Sequence, residues 1–124
     1  MYQKQQYQQK LTPLQEQLIY GSLLGDLCIV RPKGKKRNAH LAINHSLKQA
    51  EYVQFKYSIL KNFVKTPPRL IKNGGWGKEV MRFYALSHPS FTEIYHTCYL
   101  SGKKTVSSEW LSKIDSPFAL AVWY

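Results

Sequence analysis

The segment Leu18-Ile19-Tyr20-Gly21-Ser22-Leu23-Leu24-Gly25-Asp26 constrains the fold more than any other part of the chain. A strong helix start precedes it: Thr12 as N-cap, Pro13 at the first helical position, and Gln15 as capping-box partner. The pattern predicts a helix from Pro13 to about Gly25, with Leu14, Leu18, Gly21, Ser22 and Gly25 near one stripe. A glycine inside a helix costs about 1 kcal/mol relative to alanine. Two of them four residues apart leave one side of the helix bare, so a second helix can approach backbone to backbone. Gly21 and Gly25 are therefore the expected helix interface. A tight contact in a core explains the glycines but not Asp26. The helix dipole disfavours a carboxylate at a C-terminal end, so Asp26 calls for a cation nearby.

The rest of the chain alternates in a readable way. Leu27 to Arg31 reads as a strand, and Pro32-Lys33-Gly34-Lys35-Lys36 as a basic turn. Arg37 to His45 is a second strand, with Ala39, Leu41 and Ile43 on one face and Asn38, His40, Ala42 and Asn44 on the other. Ser46-Leu47-Lys48-Gln49 looks like a second capping box. The helix it opens carries Tyr52, Phe55, Ile59, Leu60 and Phe63 on its core face and stops before Thr66-Pro67-Pro68. A second hairpin joins Arg69–Lys72 to Glu79–Leu86 around Asn73-Gly74-Gly75, with Trp76 in the turn region. Ser87 to Leu100 reads as a helix with Phe91, Ile94, Tyr95 and Cys98 inward, and Ser101–Thr105 as a basic loop. Glu109-Trp110-Leu111 suggests a short helical turn. Ser116-Pro117 repeats the helix-start signature ahead of the apolar run from Phe118 to Tyr124. The order α-β-β-α-β-β-α predicts an α+β fold: a four-stranded antiparallel sheet backed by helices, with one sheet face free for a ligand.

Charge narrows the ligand. Eighteen Lys and Arg stand against seven Asp and Glu in 124 residues, a net charge of +11. Such an excess points to a polyanion, with nucleic acid the commonest, over a merely solubilising surface. No segment is both basic and strongly amphipathic, and no apolar run reaches spanning length, so no membrane partner is expected. Cys28 and Cys98 have no metal spacing and read as small buried hydrophobes in a reducing compartment. No segment resembles a signal peptide. The expected setting is the cytoplasm or an organellar matrix, not secretion. Residues 1–11, Gln-rich and low in complexity, are expected to be disordered. Residues 12–115 are expected to form the domain, and residues 116–124 to begin a further helix.

The run Leu18 to Asp26 resembles the signature helix of the LAGLIDADG homing endonuclease family. The following residue, often glycine in that family, is Leu27 here. A second match lies at the end, where Lys103-Lys104-Thr105 and Asp115-Ser116-Pro117-Phe118-Ala119-Leu120-Ala121-Val122-Trp123-Tyr124 resemble the segment leading into the second signature helix of single-chain members. The resemblance implies paired signature helices at a pseudo-two-fold axis, with Asp26 as a ligand of a divalent metal such as Mg²⁺ and Lys104 as the active-site lysine. It also implies a second half, from the same chain or another. Ser46 falls where the family often places a polar water-binding residue, with Lys48 and Gln49 as nearby alternatives.

Phosphodiester cleavage needs an activated water, charge neutralised on the phosphate and a stabilised leaving oxygen. Metals can supply all three, and hard cations want oxygen ligands such as Asp26. Lys104 is suited to charge on the phosphate. The hairpins are the expected DNA ribbons. Their candidates are Arg31, Asn38, His40 and Asn44 on the first, and Arg69, Lys72, Lys78 and Arg82 on the second. Lys33, Lys35, Lys36 and Arg37 crowd a turn and suit phosphate contacts. The expected function is site-specific, metal-dependent cleavage of duplex DNA. The alternatives are an RNA maturase or a non-catalytic nucleic-acid-binding protein on the same scaffold. An unrelated basic RNA-binding domain would leave the two helix signatures unexplained.

Overall fold

The computed structural model describes residues 10–32, 37–73 and 78–123. The expected turns at Lys33, Lys35 and Lys36 and at Trp76 lie outside the described residues.

Helix α1 (Pro13–Leu23) starts as its sequence dictates. The Thr12 hydroxyl accepts from the Gln15 amide at 3.1 Å, and the Gln15 side chain accepts from the Thr12 amide at 3.0 Å. Gln15 itself is buried, and its Nε2 donates to the Ile59 carbonyl and to Asn62 Oδ1. The helix ends two residues earlier than the glycine spacing suggests. Gly25 is exposed in the turn that follows, its amide bonded to the Ser22 carbonyl, so only Gly21 of the two glycines sits within the helix.

Strands β1 (Cys28–Val30), β2 (His40–Ser46), β3 (Arg69–Asn73) and β4 (Lys78–Ala85) form an antiparallel sheet in the order β1-β2-β4-β3. Alternation in β2 is as expected: Leu41, Ile43 and His45 are buried, whereas Asn44 and Ser46 are exposed. Helices α2 (Ala50–Leu60) and α3 (Pro89–Cys98) pack behind this sheet. The core draws Leu18, Ile19 and Leu23 from α1, Val53 and Leu60 from α2, Phe91, Ile94 and Cys98 from α3, and Leu41, Ile43 and Phe83 from the sheet. The opposite sheet face carries Cys28, Val30, Asn44 and Tyr84, all exposed, so of the two cysteines expected to be buried only Cys98 is, because β1 turns Cys28 to the outer face.

Three expectations about elements change. The capping box at Ser46/Gln49 does not form. A 3₁₀ turn (Leu47–Gln49) leads into α2, and the Gln49 side chain turns to His45 instead of capping. On α2 the inward stripe is Val53, Lys56 and Leu60, while Phe55 is exposed and lies edge-on to Phe118. Helix α3 stops at Cys98, because Tyr99 turns extended and pairs with Lys104. Tyr99–Leu100 (β5) and Lys103–Lys104 (β6) make a small hairpin where a helix end and a loop were expected. Ser101 (φ 52°) and Gly102 (φ 79°) both take positive φ, as a two-residue type I′ turn requires.

The chain returns through α4 (Ser108–Lys113) and α5 (Pro117–Trp123). The buried Trp110 of α4 donates its indole N–H to the Tyr20 carbonyl of α1. Gln17 of α1 clamps the α4–α5 link, donating to Lys113 O and accepting from the Asp115 amide and the Ser116 hydroxyl. Helix α5 then lies against α1, and a Cβ added at Gly21 would fall onto the Ala119 carbonyl oxygen and press on Val122. The apolar terminal run thus packs on the first helix, and Gly21 is the point of backbone-to-backbone approach.

Candidate functional site

Asp26 follows the turn that ends α1, and its side chain is 63% exposed. Around it the fold gathers residues from distant parts of the sequence. Lys104, on β6, donates from Nζ to the carbonyls of Gly25 (3.1 Å) and Leu27 (2.6 Å), the two residues that flank Asp26. The type I′ hairpin is what delivers it. Lys104 is therefore brought beside Asp26, from the opposite end of the sequence, through the backbone on either side of it.

Sequence reasoning missed the other members. His45 occupies the next inward position of β2 after Leu41 and Ile43, and its Nδ1 lies 3.2 Å from Asp26 Oδ2 and 3.0 Å from Gln49 Oε1. Lys56 of α2 is 1% exposed, and its Nζ lies 3.1 Å from His45 Nε2 and 4.4 Å from the centre of the Tyr52 ring. The Tyr52 hydroxyl in turn donates to the Val122 carbonyl of α5. Burial, then the nearby Lys56 cation, holds His45 below its ordinary value against the raising effects of Gln49 and Asp26. Burial pushes the Lys56 ammonium down to about 8, with Asp26 opposing that shift and Lys104 adding to it. A signal for Lys56 did exist: it stands three residues after Val53 and four before Leu60, on the inward stripe of a helix. Among the three water-binding candidates, Gln49 touches the cluster through His45. Ser46 ends β2 on the outer sheet face opposite Val80, and Lys48 is exposed in the 3₁₀ turn.

As a metal site, the cluster offers hard oxygen from Asp26, which suits Mg²⁺. Among the described residues, no group of three or more His, Cys, Asp or Glu is placed to hold a metal ion. The donor set therefore fits a divalent metal as one contributor to a shared site rather than as a complete cage.

The outer sheet face sorts the DNA candidates. Asn44 stands opposite Arg82, and Arg82 opposite Arg69, so these three share a face across three strands. His40 lies edge-on to Tyr84 at 5.9 Å, the Tyr84 hydroxyl accepts from Arg82 at 3.2 Å, and burial lowers the His40 pKa. Lys78 pairs with Asn73 at positions in step with Arg82 and Arg69. Lys72 pairs with Glu79, one position out of step with them. Arg31 also departs from expectation. It follows the inward Ile29 in alternation and turns to α3, where its guanidinium meets His96 at 2.8 Å and lies over Tyr95. Asn38 is likewise taken up by α3, accepting from the Thr92 hydroxyl. Arg37 is exposed just before β2.

Beside α5, an open apolar groove of about 720 Å³ is lined by Leu24, Val106, Leu111, Ile114, Pro117 and Leu120. Among the described residues, no helix is long and apolar enough to cross a membrane.

Comparison with known proteins bears on this arrangement. Residues 16–124 match the model of the LAGLIDADG DNA endonuclease family. The structure is similar to that of the homing endonuclease I-WcaI bound to its DNA recognition sequence, with a TM-score of 0.82 and 25% identity over 98% of this chain and 53% of that one. The chain is 31% identical to Protein RecA of Mycobacterium shimoidei, over 92% of this chain and 26% of that protein. It is 30% identical to Cytochrome b mRNA maturase bI2 of Debaryomyces hansenii, over 86% of this chain and 42% of that protein. It is 25% identical to the Probable intron-encoded endonuclease 1 of Wickerhamomyces canadensis, over 92% and 49%. The chain thus spans half or less of the curated relatives it matches.

Proposed function

Because the chain belongs to the LAGLIDADG DNA endonuclease family, we propose that it is one αββαββ half of a site-specific homing endonuclease that hydrolyses duplex DNA with a divalent metal. The observation that carries this reading is Lys104, bonded to the carbonyls on both sides of Asp26 from 77 residues beyond Leu27. A helix-end carboxylate with a cation fixed beside it is the local chemistry that phosphodiester hydrolysis asks for.

In this reading Asp26 supplies a carboxylate oxygen to Mg²⁺, which when bound neutralises phosphate charge and makes a water nucleophilic at neutral pH. His45 and Gln49 hold the carboxylate side of the site, His45 through its contact with Asp26 Oδ2. Two of the three Lys104 N–H bonds go to Gly25 and Leu27, and the third, without a partner among the described residues, is proposed to meet a phosphate oxygen as negative charge grows there. The outer sheet face, with Asn44, Arg69 and Arg82, is the proposed base-reading surface, and Arg37 with Lys33, Lys35 and Lys36 the phosphate contacts.

One carboxylate does not make a two-carboxylate site, so a second half is part of the proposal, supplied by a continuation, another chain or a second copy. The apolar groove beside α5 suits such a partner, since exposed apolar surface of this kind invites association.

Nicking of a target plasmid with and without Mg²⁺, in a protein that supplies both halves, is the test. Asp26→Asn should keep DNA binding and lose metal-dependent cutting. Undiminished cutting by that variant would remove Asp26 from the site. A second reading, RNA maturation, is favoured by the similarity to the cytochrome b mRNA maturase. It would be supported by tight intron RNA binding without DNA cleavage.

A further inference from the structure

A lysine buried to 1% exposure on the inward stripe of a helix demands a reason. Val53 and Leu60 flank Lys56 on that stripe, and methionine would fill the same space without an ammionium to desolvate. Burying an ammonium costs several kcal/mol unless its protons find partners. Among the described residues its partners are the His45 ring nitrogen and the face of Tyr52.

We propose that Lys56 is a positioning residue for Asp26: its ammonium donates to His45 Nε2 and fixes the ring as the Nδ1–H tautomer, whose N–H goes to Gln49 Oε1 and whose positive edge then faces the Asp26 carboxylate. The proposal rests on the nuclease reading for its purpose, but its geometry stands alone. A lysine ammonium has donors and no acceptor, so the Nε2 facing it must offer a lone pair. At the other end of the ring, Nδ1 faces two acceptors, Gln49 Oε1 at 3.0 Å and Asp26 Oδ2 at 3.2 Å, so it must carry the hydrogen. Both ends select the same tautomer. The opposite one would set N–H against N–H on one side and a lone pair against two oxygens on the other. A doubly protonated ring fails at the Lys56 side as well, since it too would set N–H against N–H there.

The effect falls on Asp26. Its Oδ2 lies against the protonated Nδ1 edge while most of the side chain remains in solvent, which biases the orientation the carboxylate presents to a metal. Outer partners that orient metal ligands typically change metal affinity by about 10- to 100-fold when lost. The lysine is itself positioned from across the molecule, since the Tyr52 ring beneath it is tied through its hydroxyl to the Val122 carbonyl of α5.

The test is imidazole ¹H–¹⁵N long-range correlation on the ¹⁵N-labelled full chain near neutral pH, with His45→Gln used to assign the His45 signals. The expected spectrum has His45 protonated on Nδ1 and bare on Nε2. In Lys56→Met the ring should move towards Nε2–H. The Mg²⁺ concentration needed to shift the Asp26 carboxyl ¹³C signal should rise about 10-fold. An Nε2–H ring in the unaltered protein overturns the proposal without requiring any variant to fold. So does a Lys56→Met protein whose ring or Mg²⁺ midpoint is unchanged. The tautomer is read without DNA or cleavage, so a failure of the nuclease reading leaves this result interpretable, and the reverse also holds.

Discussion

Lys56 has a signature in pH as well as in geometry. Its ammonium titrates near 8 in the folded chain against an ordinary 10.5. Between those values the unfolded chain keeps a proton that the folded chain has released, so folding stability rises with pH across that window. Below about pH 8 both states are protonated and the cost of the buried charge is fully felt. Urea denaturation of the unaltered protein and of Lys56→Met, at pH 7.5 and pH 10.5, should show the unaltered protein gaining on the variant by about 3 kcal/mol at most. Equal shifts in both proteins would mean that Lys56 titrates normally. At this scale the sequence was half legible. Asp26 stood out because it opposes a helix dipole, and Lys104 because its surroundings matched a family pattern. His45 and Lys56 were hidden: each reads as an ordinary polar residue until the alternation of β2 and the stripe of α2 turn both inward. Arg31 and Asn38 are engaged by helix α3, which supplies partners that no local pattern announces.

At the scale of elements, the pairing of α1 with α5 makes a prediction of sign. In an exposed helix, Gly→Ala stabilises by about 1 kcal/mol. At Gly21 the added methyl would meet the backbone of Ala119, which has little room to yield. Gly21→Ala should therefore destabilise, by about 2 kcal/mol as overpacked sites do, in a thermal or urea melt. A more stable variant would show that the two helices are not in close contact. The β5–β6 turn gives a gentler case. Gly102 has open space around it but a φ of 79°, so Gly102→Ala should cost about 1 kcal/mol from backbone strain alone. Gly102→Asn, better suited to that region, should cost less in the same melts. Caps, prolines and alternation made most elements readable. The end of α3 was not, because Tyr99 leaves the helix for reasons that lie elsewhere: it pairs with Lys104, and its hydroxyl accepts from the Ile29 amide on β1.

For the whole molecule, a net charge of +11 and an uncovered sheet face predict binding governed by phosphate contacts. With about six such contacts, affinity for duplex DNA should fall roughly 10³-fold between about 50 and 200 mM salt. Fluorescence anisotropy over that range would measure it, and a flat response would argue against a duplex ligand. The α1–α5 contact also bears on how the chain reaches this state. Gln17 and Asp115, bonded to each other beside that contact, stand 98 residues apart in sequence. Joining such distant segments closes a loop of nearly the whole chain, and its entropy is lost before the contact returns anything. Docking of α5 should then come late, after the sheet and its backing helices have formed. Stopped-flow kinetics of Gly21→Ala should show faster unfolding with a nearly unchanged folding rate, a φ-value close to zero. The helix pair would act as a latch that sets how long the folded protein lasts rather than how quickly it forms.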